Sequence, residues 1–167
     1  MSSTPEFDII VYGATGYTGR LVAEYLSQEY ADDSGLRWAM AGRSQSKLEA
    51  VRDEINAPAD TPLVVADTGD ADSLRAMAER TRVVLTTVGP YQLYGSDLVR
   101  ICAETGTDYV DLCGEPAWMR QMIDAHGETA KQSGARIVFS CGFDSIPFDL
   151  GVYFLQQAAQ EKFGAAL

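Results

Sequence analysis

The stretch Val11-Tyr12-Gly13-Ala14-Thr15-Gly16-Tyr17-Thr18-Gly19-Arg20 joins an apolar run to an amphipathic one through three glycines, each separated from the next by two residues. Gly13 can take the positive φ that a tight strand-to-helix turn requires. Gly16 leaves the backbone open to a pyrophosphate, and Gly19 lets the helix pack close to the strand. The amides and the positive dipole end of the helix that starts here then face the phosphates. Ala14, Thr15, Tyr17 and Thr18 fill the remaining positions of this candidate cofactor loop. Glycines at this spacing also occur in purely structural turns, so the flanking sequence decides between the two.

That context is a strand before and a helix after. Residues 7–12 are apolar, and Leu21, Val22, Tyr25 and Leu26 recur at helical spacing. Residues 36–41 predict a second strand ending at Gly42-Arg43-Ser44, and Ser44 or Ser46 caps a helix that stops at Asn56-Ala57-Pro58. Residues 63–66 predict a third strand and 83–88 a fourth, which Gly89-Pro90 interrupts. Ser96 starts the next helix and Gly106 ends it. Residues 109–112 and 136–140 predict strands five and six, with helices over 116–133 and after Pro147. Six buried apolar strands alternating with helices specify an α/β fold, a parallel sheet covered on both faces. The expected architecture is a doubly wound Rossmann sheet in strand order 3-2-1-4-5-6. Right-handed crossovers there bring the ends of strands 1 and 4 together at the dinucleotide crevice.

A chain of 167 residues fits one domain, here residues 1–167. Its net charge of −11 disfavours nucleic acid as a partner, because a phosphate backbone needs a basic surface. The first residues have no basic segment followed by an apolar one, and no apolar run reaches the ~18 residues of a membrane span. The expectation is therefore a soluble, cytoplasmic protein without a transmembrane segment. Cys102, Cys113 and Cys141 show no Cys-x-x-Cys spacing and are expected as buried, reduced thiols. His126, the only histidine, has no partner at ligand spacing, so no metal site is expected.

An NAD site usually carries a carboxylate about 20 residues beyond the glycines, at the end of the second strand. Gly42-Arg43-Ser44 occupies that position, while Asp32 and Asp33 precede the strand. Arg43, helped by Ser44 and Lys47, instead offers donors to a 2′-phosphate, which favours NADP. Asp67, after the third strand, either accepts from the adenine amino group or caps the following helix. Gly89, Pro90 and Tyr91 follow the fourth strand and are expected near the nicotinamide ribose, with Tyr91 and Tyr94 as hydrogen-bonding candidates or as packing residues. Glu115 and Asp144 are the carboxylates open to a role in proton transfer, although Asp144 also suits a helix cap. No Tyr-x-x-x-Lys pair, Gly-x-Ser-x-Gly elbow or Gly-Lys-Ser/Thr loop is present, which excludes short-chain dehydrogenase, α/β-hydrolase and P-loop chemistry.

Together, Gly13 to Gly19, Ala41-Gly42-Arg43-Ser44, Val88-Gly89-Pro90-Tyr91, residues 109–116 and Cys141-Gly142-Phe143-Asp144-Ser145-Ile146-Pro147 resemble, in order, the blocks of the saccharopine dehydrogenase-like oxidoreductases, including the bacterial trans-acting enoyl reductases. The resemblance implies an NADP-linked oxidoreductase whose nicotinamide faces a second, mixed α/β domain that holds the substrate. Members are longer, so that second domain is expected to be missing from this chain, whether it is a truncated piece or a stand-alone domain. With that part missing, the catalytic residues and the substrate pocket stay unassigned. The implied substrate is a small molecule, a lipid-like enoyl group or an amino-acid-derived imine, and a homodimer is one expected assembly. The alternative is a non-catalytic, dinucleotide-sensing or regulatory Rossmann module. If a second domain covers the last helix, Phe148, Tyr153 and Phe154 are expected to form an exposed apolar patch.

Overall fold

The computed structural model describes residues 4–30 and 35–166. Asp32 and Asp33 lie outside the described residues. Strands β1 (Phe7–Tyr12), β2 (Trp38–Gly42), β3 (Leu63–Val65), β4 (Thr81–Thr86), β5 (Asp108–Asp111) and β6 (Ile137–Val138) form one sheet in the order β3-β2-β1-β4-β5-β6. Every pairing is parallel. The intervening helices are α1 (Tyr17–Glu29), α2 (Gln45–Glu54), α3 (Ala71–Ala78), α4 (Tyr91–Tyr94), α5 (Ser96–Thr105), α6 (Pro116–Ser133) and α7 (Ile146–Phe163). This is the doubly wound order expected from the alternation of elements.

Alternate side chains of a strand point to opposite faces, and β1 shows why both faces read as apolar. Ile10 packs into a core with Val84, Leu98, Ile101 and Tyr109. Its neighbour Val11 packs into the other core with Ala23, Met40 and Leu48. The sheet is therefore buried from both sides, and the loops at the carboxyl ends of its strands are left to form a site.

Several boundaries differ from those expected. β4 begins at Thr81, which lies opposite Phe7, and ends at Thr86. Beyond it the Thr86 hydroxyl accepts from the Val88 amide at 3.2 Å and turns the chain out of the sheet. β6 is cut to two residues, since among the described residues only Ile137 and Val138 stand in ladder register with β5. Asp70, not Asp67, caps α3, accepting from the Asp72 and Ser73 amides. Ser44 is the cap of α2 and accepts from the Lys47 amide at 3.4 Å. Asp144 does not cap α7: the cap position is Ser145 and no side chain closes it.

Helix α7 differs from the others in what it buries. Of its residues only Ala159 is buried, while Phe148 is 64% exposed and Phe154 70%. Leu150, Val152, Tyr153 and Leu155 are exposed as well, so the apolar surface expected here is present and extends over most of the helix. No helix among the described residues is long and apolar enough to cross a membrane.

Candidate cofactor cleft

At the switch point, where β1 lies between β2 and β4, the strand ends enclose a cleft of about 340 Å³. Gly13, Thr15 and Gly16 form its floor, with Arg43 and Thr68 on the β2–β3 side and Gly89 and Tyr94 on the β4 side. The glycine turn is tight. Gly13 has φ +93°, and its amide and that of Ala14 both donate to the Ala41 carbonyl. The Gly13 carbonyl in turn accepts from the Gly16 amide at 2.9 Å. Gly19 is buried directly beneath, where a Cβ would lie 2.1 Å from the Gly13 oxygen.

This arrangement meets the requirements of a pyrophosphate. Gly16 stands at the cap position of α1 and supplies no side chain to close it. Among the described residues no backbone acceptor takes the amides of Tyr17, Thr18 or Gly19, the donors of the first helical turn. An uncapped N-terminus over a glycine floor is a ready anion site.

The charge distribution sets one residue apart. Among the described residues every arginine except Arg43 forms an ion pair. Arg43 is exposed, lines the cleft and has no carboxylate within ion-pair distance among the described residues. In an acidic protein, a lone arginine facing a cleft is available to an anionic group.

The other candidates fall into three groups. Ala14 is buried under the turn, while Tyr17 and Thr18 are exposed on the first turn of α1, beyond the cleft lining. Ser44 and Asp67 flank the Arg43 side. The Ser44 hydroxyl is shared between the Lys47 amide and Ser46, and one Asp67 oxygen accepts from the Gly69 amide at 2.8 Å. Pro90, joined to Gly89 by a cis peptide, is exposed at the other rim. Tyr91 is turned away from the cleft: it is 5% exposed, its hydroxyl donates to the Thr86 carbonyl, and it accepts from the Leu112 amide. Burial pushes its phenol up to about 12. Tyr94, 46% exposed, lines the cleft on this side.

Three lining residues, Tyr12, Thr68 and Thr87, carry no motif of their own. The Tyr12 hydroxyl donates to the Ala66 carbonyl, and burial raises its pKa. The Thr87 hydroxyl lies 3.4 Å from the carbonyls of both Tyr12 and Gly13 and ties β4 to the turn. Their position at or just beyond the carboxyl ends of β1, β3 and β4 is the signal that points to them.

A family model described as the saccharopine dehydrogenase NADP-binding domain matches residues 9–138, a range that includes the glycine turn and the cleft lining. The chain belongs to this family. NADP is accordingly its cofactor, and the expected kinship with the saccharopine dehydrogenase-like proteins holds, the matched residues including the first four of the five sequence blocks. The chain is 52% identical over 157 residues to the trans-acting enoyl reductase of Mycobacterium leprae, covering 93% of this chain and 37% of that protein. It is 50% identical over 161 residues to that of Mycobacterium ulcerans, covering 96% and 38%. It therefore spans well under half the length of these relatives. Saccharopine dehydrogenase (L-Glu forming) from Saccharomyces cerevisiae shares the fold with a TM-score of 0.71 at 15% identity, over 92% of this chain and 32% of that one.

Neither carboxylate considered for proton transfer sits free in the cleft. Asp144 is exposed before α7, and the Glu115 oxygens accept from the Tyr91 and Gln92 amides at 2.8 and 2.9 Å. His126 lines a separate hollow of about 250 Å³ between α6 and β6, with Ile123, Lys131 and Ile137. Among the described residues no group of three or more His, Cys, Asp or Glu side chains is placed to hold a metal ion.

Proposed function

We propose that the chain is the dinucleotide-binding domain of a cytoplasmic NADPH-dependent oxidoreductase that reduces the activated double bond of a small enoyl substrate. The observation that carries the cofactor half of this reading is Arg43, unpaired among the described arginines and facing the cleft. The glycine turn holds the pyrophosphate on the amides of the first turn of α1. Arg43 and Ser44 hold the 2′-phosphate, Asp67 stands at the adenine side, and Gly89 and Tyr94 border the nicotinamide side. The bound nicotinamide supplies the hydride, and the protein orients it.

The enoyl substrate class rests on the names of the relatives that are 50–52% identical. A carbonyl or imine substrate would fit the same cofactor cleft. The substrate and the catalytic residues are assigned to the part of the relatives that lies beyond the matched 37–38%. The exposed face of α7 fits contact with such a part or with a second copy of the chain. Fluorescence titration with NADPH and NADH tests the reading. NADPH is expected to bind at least ~10-fold more tightly, from the charge-assisted bonds of Arg43, without turning over an enoyl substrate on this chain alone. Equal affinity for the two would refute the assignment of Arg43.

A further inference from the structure

The side of the cleft formed by Gly89 and Tyr94 belongs to a short segment that the sheet does not hold. β4 ends at Thr86, and α4 is a single turn capped by Pro90, which has no side-chain acceptor to offer. The amides of Tyr91 and Gln92, the first two of that turn, would be orphaned. Instead the Glu115 carboxylate, more than twenty residues away at the β5–α6 junction, takes one with each oxygen, at 2.8 and 2.9 Å. The same junction supplies further anchors, beside the bond from the Tyr91 hydroxyl to the Thr86 carbonyl. The Leu112 amide donates to the Tyr91 hydroxyl, the Tyr91 and Trp118 rings lie 5.7 Å apart, and the Trp118 Nε1 donates to Ser96 at 3.0 Å.

We propose that Glu115 is a positioning residue that fixes the Gly89–Tyr94 wall of the cleft, and through it the nicotinamide end of the cofactor. Both oxygens of the Glu115 carboxyl are committed to the α4 backbone. Glu115 thereby acts through α4 and does not touch the reacting atoms. Arg43 and Thr68 lie on the opposite side of the glycine turn, anchored to β2 and β3, and Glu115 makes no bond to them among the described residues.

The proposal rests on the cofactor reading and is tested with two ligands on the whole chain: NADPH, which spans the cleft, and 2′,5′-ADP, which has the adenosine and 2′-phosphate but no nicotinamide. Glu115→Ala is expected to weaken NADPH ~10-fold, the loss of two charge-assisted bonds partly offset by relaxation of α4, and to leave 2′,5′-ADP within about 2-fold. Glu115→Gln keeps one acceptor and is expected to lose ~3-fold for NADPH only. Should the alanine variant fail to fold by circular dichroism, the glutamine variant reads the same split. Equal losses for both ligands, or undiminished NADPH binding, overturns the positioning role. A wild-type chain that binds neither ligand instead overturns the cofactor reading on which the role depends.

Discussion

The Gly19→Ala substitution tests how closely helix α1 must approach the glycine turn. Glycine inside a helix ordinarily destabilises it by about 1 kcal/mol relative to alanine, so propensity alone predicts a gain. Here the added Cβ would lie 2.1 Å from the Gly13 oxygen, 2.6 Å from its carbonyl carbon and 2.7 Å from the Thr87 hydroxyl. Relief requires a shift of more than ~1 Å to restore van der Waals separation. The Gly13 oxygen cannot yield alone, because it accepts from the Gly16 amide, and Gly13 is itself bonded to Ala41. Overpacking of this kind costs about 1–3 kcal/mol, and contact with backbone on a buried turn places it at or above the upper end. The net expectation is a loss of about 2 kcal/mol, or ~4–8 °C in Tm for a chain of this size, together with at least ~10-fold weaker NADPH binding as α1 is pushed off the pyrophosphate floor. Gly127→Ala in α6 is the matched control, since its Cβ meets nothing within 4 Å. It should raise stability by about 0.5–1 kcal/mol. Thermal melts and NADPH titrations of both variants provide the assay. A Gly19→Ala chain as stable as Gly127→Ala, with NADPH affinity intact, would refute the close-approach argument.

Arg43→Ala should weaken NADPH by ~10–100-fold, the range for losing charge-assisted bonds to a phosphate, while changing NADH by less than about 3-fold; equal effects in a two-cofactor titration would count against it. The Asp8 carboxyl is held down to about 2 by its hydrogen bonds to Arg37, below an ordinary value of 3.8. Its stabilising contribution is therefore fully present above pH ~4 and is lost as pH falls toward ~2. Melting curves of Asp8→Asn should be flatter than wild type across that window, and an identical acid limb would contradict the pairing. Burial pushes the Cys102 thiol up to about 12, so iodoacetamide at pH 8 should leave Cys102 unmodified in the native chain and alkylate it in denaturant. Mass spectrometry showing equal labelling in both states would refute that burial.

The sequence revealed elements whose two ends carry chemical punctuation. Helix α6 runs over the expected residues because Pro116 stands in its first turn and Gly134, at φ +86°, ends it in the left-handed conformation. The strand order followed because alternating β and α elements leave few right-handed solutions. Strand lengths were less legible: residues 136–140 are apolar enough for a strand, but hydrogen bonding depends on the partner, and among the described residues only Ile137 and Val138 stand in ladder register with β5. The single turn of α4 is too short to leave a periodic signal. In the cleft, the glycines and Arg43 announced themselves by spacing, whereas Thr68 and Thr87 line it through position alone. Tyr91 and Glu115 were harder, because their partners are distant in sequence. A tyrosine after a strand suggests a ligand contact until Thr86 and Leu112 are seen to engage its hydroxyl. A carboxylate between two such loops suggests a proton donor until its oxygens are found on the amides of α4.

A dinucleotide with a 2′-phosphate is expected to lie across the switch point, from Arg43 over the glycine turn to Tyr94. A crystal structure of the chain with NADP⁺ tests it most directly. The expected result is a pyrophosphate against the amides of Tyr17 to Gly19, the 2′-phosphate on the Arg43 guanidinium and the nicotinamide between Gly89 and Tyr94. A cofactor bound with its 2′-phosphate away from Arg43, or one seated outside this cleft, would contradict it.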